Sequence, residues 1–222
     1  FHNWHSLTSL SVSRFETKNV ENMKDMFSGC TKLQSIDLSF VENLNLTLNG
    51  LYAVFSGWSS LTTLDLSSFN TNNVEKMNSF LEGCINLKKV KGIETISTDN
   101  VDDLGWMFND CNKIENLNLS GFNTPNVKNM NSMFKRCFCL TSVDVSKFDT
   151  SMVGNMEEMF MSCSELTSLN LLSFDTSNVR NMTRMFAYCR KLKDLKKSNQ
   201  FVEPEEVEYA RDIYLDTRLL RK

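Results

Sequence analysis

The chain is predicted to be a repeat solenoid, a coil of stacked turns with a parallel sheet along one side. Three observations carry the prediction. A Phe-x-x-Cys pair recurs down the chain at intervals of 26 to 28 residues. Ten of the 12 Met fall in two columns of that same repeat. Pro is scarce, with only 2 in 222 residues. The turns must therefore be made by Asn, Asp, Ser and Thr side chains that bond their own backbone.

The first column is Phe27, Phe55, Leu81, Phe108, Phe134, Phe160 and Phe186. Three residues on, Cys30, Cys84, Cys111, Cys137, Cys163 and Cys189 share one position, with Trp58 in the second coil. Cys139 lies outside the series. Aliphatic residues follow, from Leu33 to Leu192, then Ile36, Leu64, Val90, Leu117, Val143, Leu169 and Leu195. The stretch L-x-x-L-D-L ends in period-2 alternation, the mark of a short half-buried strand. Phe69, Phe122, Phe148 and Phe174 make a second Phe column. A Thr column (Thr71, Thr98, Thr124, Thr150, Thr176) and an Asn column (Asn73, Asn100, Asn126, Asn178) follow as turn-forming ladders. The segment N-V-x-N-M-x-x-M-F fits an irregular or short helical return arc. One such unit cannot bury its own apolar face, but stacked units can.

Two stretches depart from the period. Residues 39–54 carry two extra residues, and residues 91–99 carry one and place Gly92 where an aliphatic belongs. Local bulging is expected at both. Phe1, Trp4, Leu7, Leu10 and Val12 already fit the register. Further repeats or a cap are therefore expected ahead of Phe1.

The strings "NVKNMNSMFKRCFCLTSVDVSKFDTSMVGNMEEMF" and "CSELTSLNLLSFDTSNVRNMTRMFAYC" resemble the 26-residue repeat of BspA-like leucine-rich-repeat surface proteins. The resemblance covers residues 1–195. It implies a leucine-rich-repeat-like right-handed coil and a non-enzymatic adhesion or recognition module, on the cell surface or secreted, that binds protein or glycan.

The Cys column reads as core thiols. In-register side chains point the same way, whereas a disulfide needs them turned toward each other. No C-x-x-C is present, and the lone Cys137-x-Cys139 has no His beside it, so no metal or cofactor is expected. Unpaired thiols suit a reducing compartment, which keeps an intracellular scaffold subunit as the alternative function. The net charge of -3 gives no basic excess for nucleic acid. No apolar run is long enough to span a membrane. The only two His are His2 and His5, which leaves no material for a His-based catalytic arrangement elsewhere.

Candidate ligand contacts are the outward strand residues Ser35, Asp37, Thr63, Asp65, Lys89, Lys91, Glu115, Asn118, Ser142, Asp144, Ser168 and Asn170. Sequons at Asn45, Asn118 and Asn181 are what an Asn-rich repeat produces by chance. Residues 196–222 form a separate segment. Pro204, Glu205 and Glu206 at one end and Arg218, Arg221 and Lys222 at the other predict a helix, either capping the last coil or docking on a partner.

Overall fold

The computed structural model describes residues 1–12, 19–38, 50–204 and 212–217. It is a leucine-rich-repeat-like solenoid in which the coils from Thr63 to Lys197 each carry one very short strand. The strands are β1 (Thr63–Asp65), β2 (Lys89–Lys91), β3 (Asn116–Asn118), β4 (Ser142–Asp144), β5 (Ser168–Leu171) and β6 (Asp194–Lys197). Their shortness has a local cause. The Asp or Asn on the strand turns back and accepts the N–H two residues on. Asp65 Oδ1 takes Ser67 N at 3.1 Å, Asn118 takes Ser120 N at 3.2 Å, Asp144 takes Ser146 N at 3.0 Å and Asn170 takes Leu172 N at 3.1 Å. The polar residue of L-D-L-S is thus the stop signal of these four strands, whereas β2 and β6 carry Lys91 and Lys196 at that position.

Pairing is parallel and in register: Leu64 opposes Val90, Leu117 opposes Val143, and Leu169 opposes Leu195. A continuous sheet is not formed. The strands join as β1–β2, β3–β4 and β5–β6, three separate pairs.

The opposite side of each coil is not a helix but a run of successive turns. Its N–H groups alternate between two uses. Phe80 N, Glu82 N and Cys84 N close turns on Met77 O, Ser79 O and Leu81 O. Between them, Ser79 N, Leu81 N and Gly83 N donate to Gly105 O, Met107 O and Asn109 O of the next coil. Every fourth residue takes a positive φ, as at Trp106 (55°), Asp110 (59°), Ser132 (53°) and Arg136 (60°). This arrangement satisfies the backbone without helix or sheet. Isolated parallel bridges run down the same side through Lys76, Asp103, Asn129, Asn155 and Asn181.

Between the two sides lies one core. Rings of the first Phe column stack coil on coil: Phe108–Phe134 at 5.7 Å, Phe134–Phe160 at 5.2 Å and Phe160–Phe186 at 5.8 Å between centroids. The second column does the same through Phe122, Phe148 and Phe174. Burial of each ring contributes about 1.5–3 kcal/mol. In the third coil the large and small residues trade places. Leu81 takes the Phe position, and Phe80 takes the neighbouring Met position and meets Phe55 edge-on at 5.3 Å. Met side chains such as Met130, Met133, Met156 and Met159 are fully buried between the columns, where an unbranched thioether fits irregular space.

The expected C-terminal helix is not present in the described residues. Residues 212–217 form turns that repeat the return arc once more. Asp212 and Asp216 have the positive φ of the arc, Phe186 N donates to Ile213 O, and Tyr188 N donates to Leu215 O. Tyr214 stacks on Phe186 at 5.6 Å, in the place of the next column Phe. Thr217, buried, stands where the Cys would be. Period-three and period-four apolar spacing alone does not separate a helix from this arc, because both bring Ile213 and Tyr214 inward. Residues 205–211 and 218–222, which carry the remaining helix signals, lie outside the described residues.

At 91–99 the extra residue is absorbed locally. Gly92 adopts φ 71° and opens a 3-10 turn over Ile93–Thr95, which brings Ile93 and Ile96 into the core. The next coil yields to it. A Cβ on Gly121 would stand 1.9 Å from Glu94 O. Most of the other departure, residues 39–49, lies outside the described residues.

Candidate ligand-binding face

The outward side of the strands presents a row of side chains that are not taken by the core. Ser35, Asp37, Thr63, Asp65, Asn118, Ser142, Asp144, Ser168 and Asn170 are all exposed there. Lys89 and Lys91 share it on β2. Ser35 and Asp37 precede β1 in the coil before it. Glu115 is also exposed, but it is out of the row. The register sets Asn116, not Glu115, against Ser142. Glu115 precedes β3 and offers its backbone carbonyl to Thr141. Asn116 is the residue the repeat itself points to, five residues after Cys111 as Ser142 is after Cys137. Its Oδ1 accepts Ser142 Oγ at 2.5 Å.

The carboxylates of this face have two roles. One oxygen closes the strand-ending turn and the other faces outward. Hydrogen bonds from the Ser67 hydroxyl and then its backbone N–H hold the Asp65 carboxyl below the usual range, with a smaller contribution from Lys91. Ser146 does the same for Asp144. Lys91 Nζ lies 3.7 Å from Asp65 Oδ2 across the β1–β2 pair.

The ladder residues are placed elsewhere and point inward or along the stack. Each column thiol donates to the Phe or Leu carbonyl of the coil before: Cys84 to Phe55, Cys111 to Leu81, Cys137 to Phe108, Cys163 to Phe134 and Cys189 to Phe160. Cys30 reaches Phe1 O at 3.2 Å. All seven thiols are free. Burial pushes the thiols of Cys84 and Cys189 up to about 12. Trp58, in the same column, donates its indole N–H to Leu33 O and is fully buried. The column therefore asks for a buried donor, not for sulfur chemistry.

Thr and Asn stitch the third edge in opposite directions. Thr98, Thr124 and Thr150 Oγ1 donate forward to Asn123, Asp149 and Asp175 carbonyls at 2.7 Å. Asn100, Asn126 and Asn178 Nδ2 donate back to Asn72, Asp99 and Ser151 carbonyls at 2.6–2.7 Å. Met152, in the Asn column, is 53% exposed. The Thr hydroxyls are buried and engaged, so they offer no flat hydroxyl rank to a ligand. Asn73 also has a partner.

Of the sequons, Asn118 is exposed on β3, whereas Asn181 is bound on both sides, by Thr183 N and Glu157. Asn45 lies outside the described residues. His2 and His5 are exposed near the first residue. Among the described residues no group of His, Cys, Asp and Glu is arranged to hold a metal, and no helix is long and apolar enough to cross a membrane.

A solenoid with an unbroken turn ladder, a buried thiol column and an outward strand row is a leucine-rich-repeat type of molecule. The chain belongs to the family described as "Mycoplasma protein of unknown function, DUF285", whose model matches residues 1–48, 49–142 and 141–210. No curated protein sequence matches it significantly. Among solved structures it is similar to a leucine-rich repeat protein from Bacteroides ovatus, with 18% identity and a TM-score of 0.41. That match covers 74% of this chain and 44% of the other, so the chain spans less than half of that protein's length. A leucine-rich cell surface protein from Faecalibacterium prausnitzii is similar at 13% identity and a TM-score of 0.35, over 96% of this chain and 78% of the other. An internalin from Listeria monocytogenes is similar at 14% identity and 0.33, over 86% and 63%.

Proposed function

We propose that the chain is a non-enzymatic binding module that holds a protein or glycan ligand on its strand face, at a cell surface as in the BspA-like proteins its repeat resembles. The observation that carries this is the division of labour around the coil. Thr, Asn and Cys side chains are consumed in joining coils, while the strand row keeps exposed side chains at fixed spacing. Adjacent coils within a strand pair repeat at about 4.8 Å, so one ligand can meet several coils at once. Binding through many equivalent positions is the ordinary use of a solenoid surface. The free thiols fit the alternative of an intracellular scaffold, but burial shelters six of the seven from oxidant in either compartment.

The test is a pair of substitutions that keep the turns intact. Asp65→Asn with Asp144→Asn preserves the strand-ending acceptor, as Asn118 and Asn170 already show. A ligand found by arraying the folded chain on peptides and glycans should lose at least about tenfold in affinity. Unchanged affinity, combined with full binding after Ser142→Arg and Ser168→Arg, would place the site elsewhere.

A further inference from the structure

Among the described strands, β2 differs in charge from those on either side. Lys88, Lys89 and Lys91 are exposed, while Val90 between them turns inward. Both Lys88 N and Lys89 N donate to Thr62 O, at 2.9 and 3.4 Å, which pins this stretch to β1. Lys91 has one carboxylate across the pair, Asp65, and both side chains stay more than half exposed, at 58% and 56%. Lys88 and Lys89 meet no carboxylate within ion-pair distance among the described residues. Several cations elsewhere are neutralised between coils, as in Lys76–Asp102, Lys135–Glu158, Arg136–Asp110 and Arg190–Asp216. At β2, Lys88 and Lys89 have no such partner among the described residues, and Lys91 has only the half-exposed Asp65.

We infer that β2 is the anchor of the strand face and that it takes an extended acidic peptide segment with two carboxylates at positions i and i+2. This rests on the strand-face reading above and names its partner. Lys89 and Lys91 lie two residues apart on one face of a strand, about 6.5 Å along it. An extended peptide presents every second side chain at the same spacing. The flanking coils argue against a continuous polyanion. On the face itself Asp65 stands on β1, the neutral Asn116 and Asn118 stand on β3, and Asp144 lies beyond on β4, so a phosphate backbone or an anionic membrane surface would be repelled at β1 and β4 and gain nothing at β3. A peptide can carry its two acids over β2 and neutral or basic residues over the neighbours. Charge complementarity of this kind sets register and encounter rate more than it sets area buried.

The test uses the full chain and a fluorescent eight-residue capped peptide that alternates Thr and Glu, measured by anisotropy at low salt. A Thr/Gln peptide, a polygalacturonate oligomer and phosphatidylserine vesicles serve as comparison probes. The Thr/Glu peptide should bind, weaken several-fold between 50 and 200 mM salt as screening predicts, and lose at least about tenfold in Lys88→Gln/Lys89→Gln/Lys91→Gln. Lys193→Gln/Lys196→Gln should bind as the parent does. Equal binding of the Gln peptide, undiminished binding by the triple variant, or preference for the oligouronate or the vesicles would overturn the inference. The two readings fail separately. A ligand lost in Ser142→Arg/Ser168→Arg but retained in the lysine variant keeps the strand face and removes the lysine anchor. One retained in both removes the face itself.

Discussion

The thiol of Cys163 donates to the carbonyl oxygen of Phe134, 3.1 Å away in the preceding coil. The same contact recurs at each column Cys, and it explains why a small buried donor persists there. Cys163→Ala removes both the sulfur volume and the donor. The expected cost is about 1–3 kcal/mol, seen as a lower urea midpoint. Cys163→Ser keeps a donor and should cost less than the alanine. A serine as damaging as the alanine would mean that only volume matters.

Thiol accessibility follows from the same column. Cys139 is the one half-buried thiol, and the other six are buried. Native protein at pH 8 should react with about one equivalent of a disulfide reagent, at Cys139, and with all seven thiols after denaturation. Two or more fast-reacting thiols in the folded chain would show that the column opens.

Thr124 Oγ1 reaches Asp149 O at 2.7 Å from a fully buried position. Thr124→Val is nearly isosteric and leaves that carbonyl without its donor, so about 1–2 kcal/mol of stability should be lost. Asn126→Ala, on the exposed side of the same edge, should cost less. Hydrogen exchange across coils four to six would resolve the difference.

Acid should weaken the strand-ending turns. Asp65 and Asp144 in these turns, and Asp175 in a later turn after Phe174, have carboxyls held below their ordinary value, chiefly by a serine hydroxyl and then its N–H. A lowered folded-state value means that the contribution is complete above about pH 4, where the unfolded carboxyl is also ionised. It disappears as pH falls through the lower folded value. Carbon-detected NMR titration should therefore find these three carboxyls titrating below the ordinary aspartate value. Ser146→Ala should raise Asp144 alone.

Gly121→Ala is expected to be more damaging than an exposed position implies. The new Cβ would meet Glu94 O at 1.9 Å, and backbone cannot rotate aside as a side chain can. A loss of about 1–3 kcal/mol, as for overpacking, should appear with loosened exchange protection over Ile93–Ile96.

Much of this was legible from columns of residues. The period placed Phe134, Cys137 and Leu140 on one inward side, because a stacked core repeats its chemistry at each coil. Hydrogen-bond direction was not legible. Nothing in the spacing tells that Thr124 bonds forward and Asn126 backward. The helix expected near the C-terminus failed for a related reason. Ile213 and Tyr214 carry a spacing that helix and turn ribbon share, and only the positive φ at Asp212 and Asp216 separates them. Asn116 in place of Glu115 was legible too, since it stands five residues after Cys111 as Ser142 does after Cys137. Asp65 and Asp144 were read as outward ligands, and the strand-ending bond each makes with one oxygen was missed.

The two long sides of the coil differ in how they are joined. Turn-to-turn hydrogen bonds run without a gap from Phe27 to Ile213, whereas strands join only in twos. The stack is therefore bound like a book, with the turns as its spine and paired leaves on the fore-edge. Flexing about that spine would change the spacing between β2 and β3 and between β4 and β5, while leaving each pair intact. A ligand that bridges two pairs would feel the curvature of the whole coil, and one that sits on a single pair would not.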